Sequence, residues 1–138
     1  MTTTPIIDAH HHFWDLSLKK HPWLNGRHNI KSFRYGDYSK IKKNYLLDDY
    51  KNDWGNHQIV KSIYVETEWD PTDPIGETTW VQHYYERYGF PNASVGQVWF
   101  ENDNVDQVLA DHKHFPISRT VRQTPSFSSS FKEFIPNL

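Results

Sequence analysis

The sequence predicts an α/β fold of the β/α-barrel type, with about four strand–helix units in a single domain spanning residues 1–138. Three observations predict it. Short runs rich in β-branched and aromatic residues alternate with stretches of helical periodicity, the signature of a parallel sheet. The runs advance by a few tens of residues, as in a β/α barrel. Candidate chemical groups follow each run, where such barrels carry their functional residues. A complete barrel needs eight units and about 250 residues, so a chain of 138 residues supplies about half of one.

The first strand falls at residues 6–9, an apolar run ending in Asp8-Ala9-His10-His11-His12. Residues 15–44 show no clean period and hold Pro22, Gly26 and Gly36, which reads as an irregular excursion. Leu46, Leu47, Tyr50 and Trp54 then share one helical face, and Gly55 ends the helix. Residues 60–65 form the second strand. Asp73-Pro74 offers a capping carboxylate followed by proline at the first helical position. Val81, Tyr84, Tyr85 and Tyr88 make the stripe of that helix, and Gly89 suits its C-terminal cap. Residues 95–100 are the third strand. Val105, Val108, Leu109 and His112 repeat the helical stripe, and residues 117–121 are the fourth strand. A serine-rich tail occupies residues 126–138.

Composition narrows the function. Net charge is −2 and the pI is near 6.5, which argues against nucleic-acid and membrane-surface partners, since both select a basic face. There is no cysteine, hence no disulfide framework and no thiolate metal site. No apolar run approaches the roughly 18 residues of a membrane helix, and the N-terminus lacks a basic-then-apolar leader pattern. A cytoplasmic protein acting on a small molecule is the expectation. Six Trp, eight Tyr and eight Phe suit core packing, with a carbohydrate-binding platform as the second reading.

The candidate site begins at the first strand. Side chains alternate faces along a strand, so Asp8, His10 and His12 are expected on one face and His11 on the other. Two imidazoles side by side at a strand end can hold one divalent metal. Glu66 and Glu68 follow the second strand on a shared face. Either one bonds a ligand hydroxyl or metal-bound water, or both make rim salt bridges. Glu101 and Asp103 follow the third strand. Arg119 and Arg122 border the fourth, where a guanidinium can clamp a carboxylate or polarise a carbonyl. Trp14 and Trp69 are candidate apolar walls of a pocket, or core. His57, His83, His112 and His114 read as structural.

The pattern Asp8-x-His10-x-His12-x-Trp14 resembles the amidohydrolase superfamily. The nearest likeness is to the amidohydrolase-related group that includes sugar-lactone and 2-pyrone-4,6-dicarboxylate lactonases. Tyr64-Val65-Glu66-Thr67-Glu68-Trp69-Asp70-Pro71 with Gly76-Glu77-Thr78-Thr79-Trp80-Val81, and Arg119-Thr120-Val121-Arg122-Gln123, extend the resemblance over most of residues 5–125. The resemblance implies a metal-dependent hydrolase opening a lactone of a sugar acid or dicarboxylate, or a related ester or amide. It implies His10 and His12 as ligands of zinc or manganese, although some relatives work without metal. It favours Arg122 or Arg119 on the substrate. The family's base, an aspartate after the last strand, and its further histidines after the fifth and sixth strands have no counterpart in 138 residues. Three outcomes are therefore expected: a piece of a longer enzyme, a catalytically inactive remnant, or a homodimer whose two copies complete a barrel.

Overall fold

The computed structural model describes residues 4–26 and 36–123. Four strands, β1 (Pro5–His11), β2 (Gln58–Val65), β3 (Ala93–Gln97) and β4 (Ser118–Arg122), form one sheet in the order β1-β2-β3-β4. Every neighbouring pair is parallel. Helices α1 (Pro22–Asn25), α2 (Leu47–Asp53), α3 (Gly76–Tyr88) and α4 (Val105–His112) occupy the connections, with short 3-10 turns at Leu16–Leu18 and Ser39–Ile41.

The alternation of strands and helices holds, but the half-barrel expectation does not. The sheet is open and small, with β1 and β4 as its edges. Closure needs about eight strands whose tilt and stagger agree, and four twisted strands joined in sequence leave two edges apart. The serine-rich tail at 126–138 and residues 27–35 of the predicted excursion lie outside the described residues. The rest of that excursion is less irregular than expected, since it contains α1 and both 3-10 turns.

The core lies between the sheet and the helices. Phe13, Leu47, Tyr50, Tyr64, Val81 and Ile117 are buried together, with Tyr45, Trp54, Trp80, Tyr84, Phe90 and Phe115 packed around them. This cluster draws on the segment just after β1, on α2, β2 and α3, and on the entry to β4, so one apolar centre ties these elements together. Asp49 reaches back to the backbone N–H of Leu46 at 3.0 Å and so satisfies a donor at the start of α2. Gly89 ends α3 at φ 74°, where glycine carries no side-chain penalty.

Asp73-Pro74 does not start α3, which begins at Gly76. The Asp73 carboxylate instead takes Lys20 Nζ at 2.9 Å and Trp69 Nε1 at 3.2 Å. Those partners outcompete a local cap, and the Asp73 carbonyl closes a turn on the Gly76 N–H at 3.1 Å. The expected stripe is also rotated: Glu77, Thr78, Val81 and Gln82 are the buried residues of α3, while Tyr85 and Tyr88 are exposed. Among the described residues, no helix is long and apolar enough to cross a membrane.

Candidate functional site

In open parallel sheets the carboxyl ends of the strands are where ligands bind, and here that edge gathers His10, His12, Glu66 and Arg122. His10 and His12 approach with their Nε2 atoms 3.2 Å apart and their rings edge-on at 79°. His12 Nδ1 lies 2.8 Å from the Val65 carbonyl. A carbonyl only accepts, so Nδ1 carries the proton and the neutral ring presents a bare Nε2 lone pair. Burial is the main reason the His12 pKa falls below the ordinary histidine value, which keeps the ring neutral at pH 7.

That donor set fits part of a metal centre. Two imidazoles each about 2.0–2.1 Å from one zinc stand roughly 3 Å apart, and a carbonyl behind the ligand ring is the usual means of fixing its tautomer. The same spacing is an N–H···N hydrogen bond when His10 keeps its Nε2 proton. Among the described residues no group of three or more His, Cys, Asp or Glu assembles to hold an ion. The fit therefore extends to two ligands.

The predicted sharing of one face by Asp8, His10 and His12 is corrected. The pairing of β1 with β2 shifts register between Asp8 and His11, and such an irregularity re-aims side chains. Asp8 accepts the Tyr50 hydroxyl at 2.8 Å and the His10 backbone N–H at 3.1 Å, so its carboxylate does not join the His10–His12 ring pair. His11 is buried, bonds Ser62 Oγ at 2.9 Å and stacks on Tyr50 with ring centres 4.3 Å apart. Asp8, His11, His12, Trp14, Tyr50 and Trp54 are among the residues lining a cleft of about 400 Å³ beside β1.

Glu66 is fully buried, with 0% of its surface exposed. Arg122 Nε donates to Glu66 Oε1 at 2.7 Å and Nη2 donates to the Glu66 carbonyl at 3.1 Å. The pair bridges the ends of β2 and β4, and the Arg122 side chain stays 37% exposed. Both groups also act electrostatically on His12, Arg122 lowering and Glu66 raising its pKa. Glu68 does not share a face with Glu66. It lies beyond β2, exposed, at φ 56°, and its backbone N–H donates to Glu66 Oε2 at 2.8 Å.

Arg119 does not join the rim. It is exposed and donates to the carbonyls of Pro116 and Ser118 at the start of β4. Trp14 bonds the Lys43 carbonyl through Nε1 at 2.6 Å and walls the cleft beside β1. Trp69 is buried against Trp80, 6.0 Å between ring centres. Of the six tryptophans, Trp69 is buried and the other five are half-buried. Glu101 is exposed and accepts Gln123 Nε2 at 2.7 Å, and Asp103 is likewise exposed. Of the histidines read as structural, His112 is buried on the Gln97 carbonyl at 2.9 Å, and exposed His57 lines the cleft beside β1.

A buried network beneath the rim escaped the sequence reading. Glu77 Oε1 accepts the Tyr64 hydroxyl at 2.7 Å, the Thr67 N–H at 2.8 Å and the Thr67 hydroxyl at 2.8 Å. His21 Nε2 in turn lies 2.8 Å from Thr67 Oγ1. The signal available was a carboxylate in the first turn of a helix, ordinarily a solvated position; nothing in the local pattern shows that α3 turns that residue inward.

Fold and site together define a parallel α/β protein with a histidine pair and a buried ion pair at the carboxyl end of its sheet. Over 127 residues the chain is 37% identical to "Uncharacterized protein y4mH" of Sinorhizobium fredii (strain NBRC 101917 / NGR234), an alignment covering 92% of this chain and 42% of that protein. The chain thus spans less than half the length of this relative. No family model matches the chain, and no solved structure is a significant match.

Proposed function

We propose that this chain carries the two-histidine portion of a metal-assisted hydrolase site acting on a lactone or related small carbonyl compound. The observation that carries the reading is the 3.2 Å approach of His10 Nε2 to His12 Nε2, with the His12 tautomer set by the Val65 carbonyl. The resemblance to amidohydrolase-related lactonases through Asp8, His10, His12 and Trp14 points the same way. His10 and His12 would hold a divalent ion, zinc or manganese, which when bound polarises a carbonyl and acidifies water. Arg122, kept in place by Glu66, orients a carboxylate or carbonyl of the substrate. Glu66 is occupied as that anchor, so the role of base passes to Glu68 or to a group outside these residues. A third metal ligand likewise comes from solvent, substrate or polypeptide beyond them, in keeping with a relative more than twice the length of the alignment.

Cobalt(II) tests this directly. Equilibrium dialysis is expected to give one ion per chain, with visible absorption bands of a nitrogen-ligated site. His10→Ala and His12→Ala should each weaken uptake by at least about tenfold. Unchanged cobalt uptake in the double variant removes the basis of the reading. Lactone opening by the loaded protein, assayed on sugar-acid and dicarboxylate lactones, tests the catalytic half.

A further inference from the structure

We propose that Glu77 is a proton-sensitive positioning residue of this rim, tying the segment 66–69 to α3 while charged and loosening it on taking up a proton. The proposal rests on the rim's being the functional site for its consequence, but not for the titration itself.

The geometry is specific. Glu77 is only 2% exposed. Oε1 receives three donors, two of them from Thr67, while Oε2 has no hydrogen-bond partner. Among the described residues no Lys, Arg or His pairs with it. A buried carboxylate without a cation is costly, and three hydrogen bonds to one oxygen are what the fold supplies instead. The groups that face it from the neighbouring elements are Tyr64 of β2, Glu66 at the strand end and, behind Thr67, His21. Glu66 opposes a second negative charge. The Thr67 hydroxyl spends its proton on Glu77, so His21 must donate through Nε2, completing a relay from His21 through Thr67 to Glu77.

The mechanical consequence runs along the backbone. Thr67 is flanked by Glu66, which anchors Arg122, and by Glu68, whose left-handed backbone aims its N–H at Glu66 Oε2. The two bonds from Thr67 that fix this segment to α3 therefore both end on one atom of Glu77. Protonation weakens Oε1 as an acceptor and places a new O–H on Oε2, which has nothing to donate to in this arrangement. The Glu66–Arg122 pair is then no longer braced from below. Burial, the largest influence, together with Glu66 pushes the Glu77 carboxyl up to about 7 against the pull of Tyr64 and Thr67, so both forms are populated near neutral pH.

The test is an NMR titration of the intact chain from pH 4 to 9. It follows the Glu77 side-chain carboxyl carbon, the Thr67 amide and the Arg122 Nε–H. The expected result is one step near pH 7 in all three signals, and its disappearance from Thr67 and Arg122 in Glu77→Gln. A Glu77 midpoint near the ordinary value of about 4.3, or Thr67 and Arg122 signals that stay flat through it or keep their step in Glu77→Gln, overturns the proposal. If Glu77→Gln fails to fold, the shared midpoint in the native chain still decides. Cobalt uptake on the same sample separates the two ideas, since loss of the metal reading leaves this titration intact and the reverse also holds.

Discussion

At the scale of single residues, burial sets three titrations that pull stability in opposite directions. Burial lowers His11 and His21 to about 4 and raises Glu77 to about 7. Between pH 6.5 and 4 the unfolded chain binds protons on both histidines that the folded chain refuses, so these rings cost stability as pH falls. Glu77 does the reverse. The folded chain holds its proton from pH 7 down to about 4.5 while the unfolded chain does not, so acidification over that window favours the fold. From pH 6.5 to 4.5 each histidine withdraws on the order of 2–3 kcal/mol and Glu77 returns about as much. Urea midpoints at those two pH values should therefore show a larger acid loss for Glu77→Gln than for the native chain, by about 2 kcal/mol. Equal losses would mean that Glu77 does not titrate in this window. Residue identity made part of this visible in advance. His10 and His12 were legible because strand alternation puts i and i+2 together. Asp8 was misplaced because alternation says nothing about where a register slips, and Glu77 was missed because its inward orientation depends on how α3 packs.

At the scale of elements, close approach between β3 and α4 is as exacting as anything at the rim. A Cβ on Gly96 would stand 2.5 Å from His112 Cε1 and 2.7 Å from its Nδ1. His112 cannot swing clear at little cost, because it is buried, bonds the Gln97 carbonyl at 2.9 Å and lies 3.1 Å from Thr78 Oγ1. Gly96→Ala must therefore displace α4 or break those bonds, with an expected loss of about 1–3 kcal/mol. Denaturant unfolding measures it, and an unchanged midpoint would show that α4 gives way freely. All four strands, and the helices after the first three of them, were readable from periodicity, since each shows an apolar pattern of its own period. Their starts were not. The Asp73-Pro74 cap signal is genuine chemistry, but Lys20 and Trp69 claim the carboxylate from elsewhere in the chain. The two carboxylates read as neighbours, Glu66 and Glu68, separate for a related reason: the strand ends at Val65 and the backbone turns left-handed at Glu68, so period two no longer applies.

At the scale of the whole molecule, spacing between strands conveyed the parallel α/β class but not how the sheet would end, because closure depends on tilt and stagger that no local pattern encodes. Among the described residues no strand pairs with the outer side of β1, and the start of this edge is apolar. Ile7 is 60% exposed, and Ile6 and Val60 are exposed near it. Ile7 pairs in register with Lys61 of β2, and the one carboxylate of β1, half-buried Asp8, is engaged by the Tyr50 hydroxyl. Unpaired backbone groups beside exposed β-branched side chains are a template for further strand pairing. The chain should therefore associate as its concentration rises, through β1 first. Placing a second cation on the edge, Ile7→Lys, should suppress that association while leaving the buried core, which lies on Phe13, Tyr64 and Val81, untouched. Light scattering across a concentration series, with far-ultraviolet dichroism to verify the fold, distinguishes the outcomes. A native mass that rises with concentration and an Ile7→Lys mass that does not would locate the contact on β1. Identical masses in the two proteins would move it to β4 or abolish it.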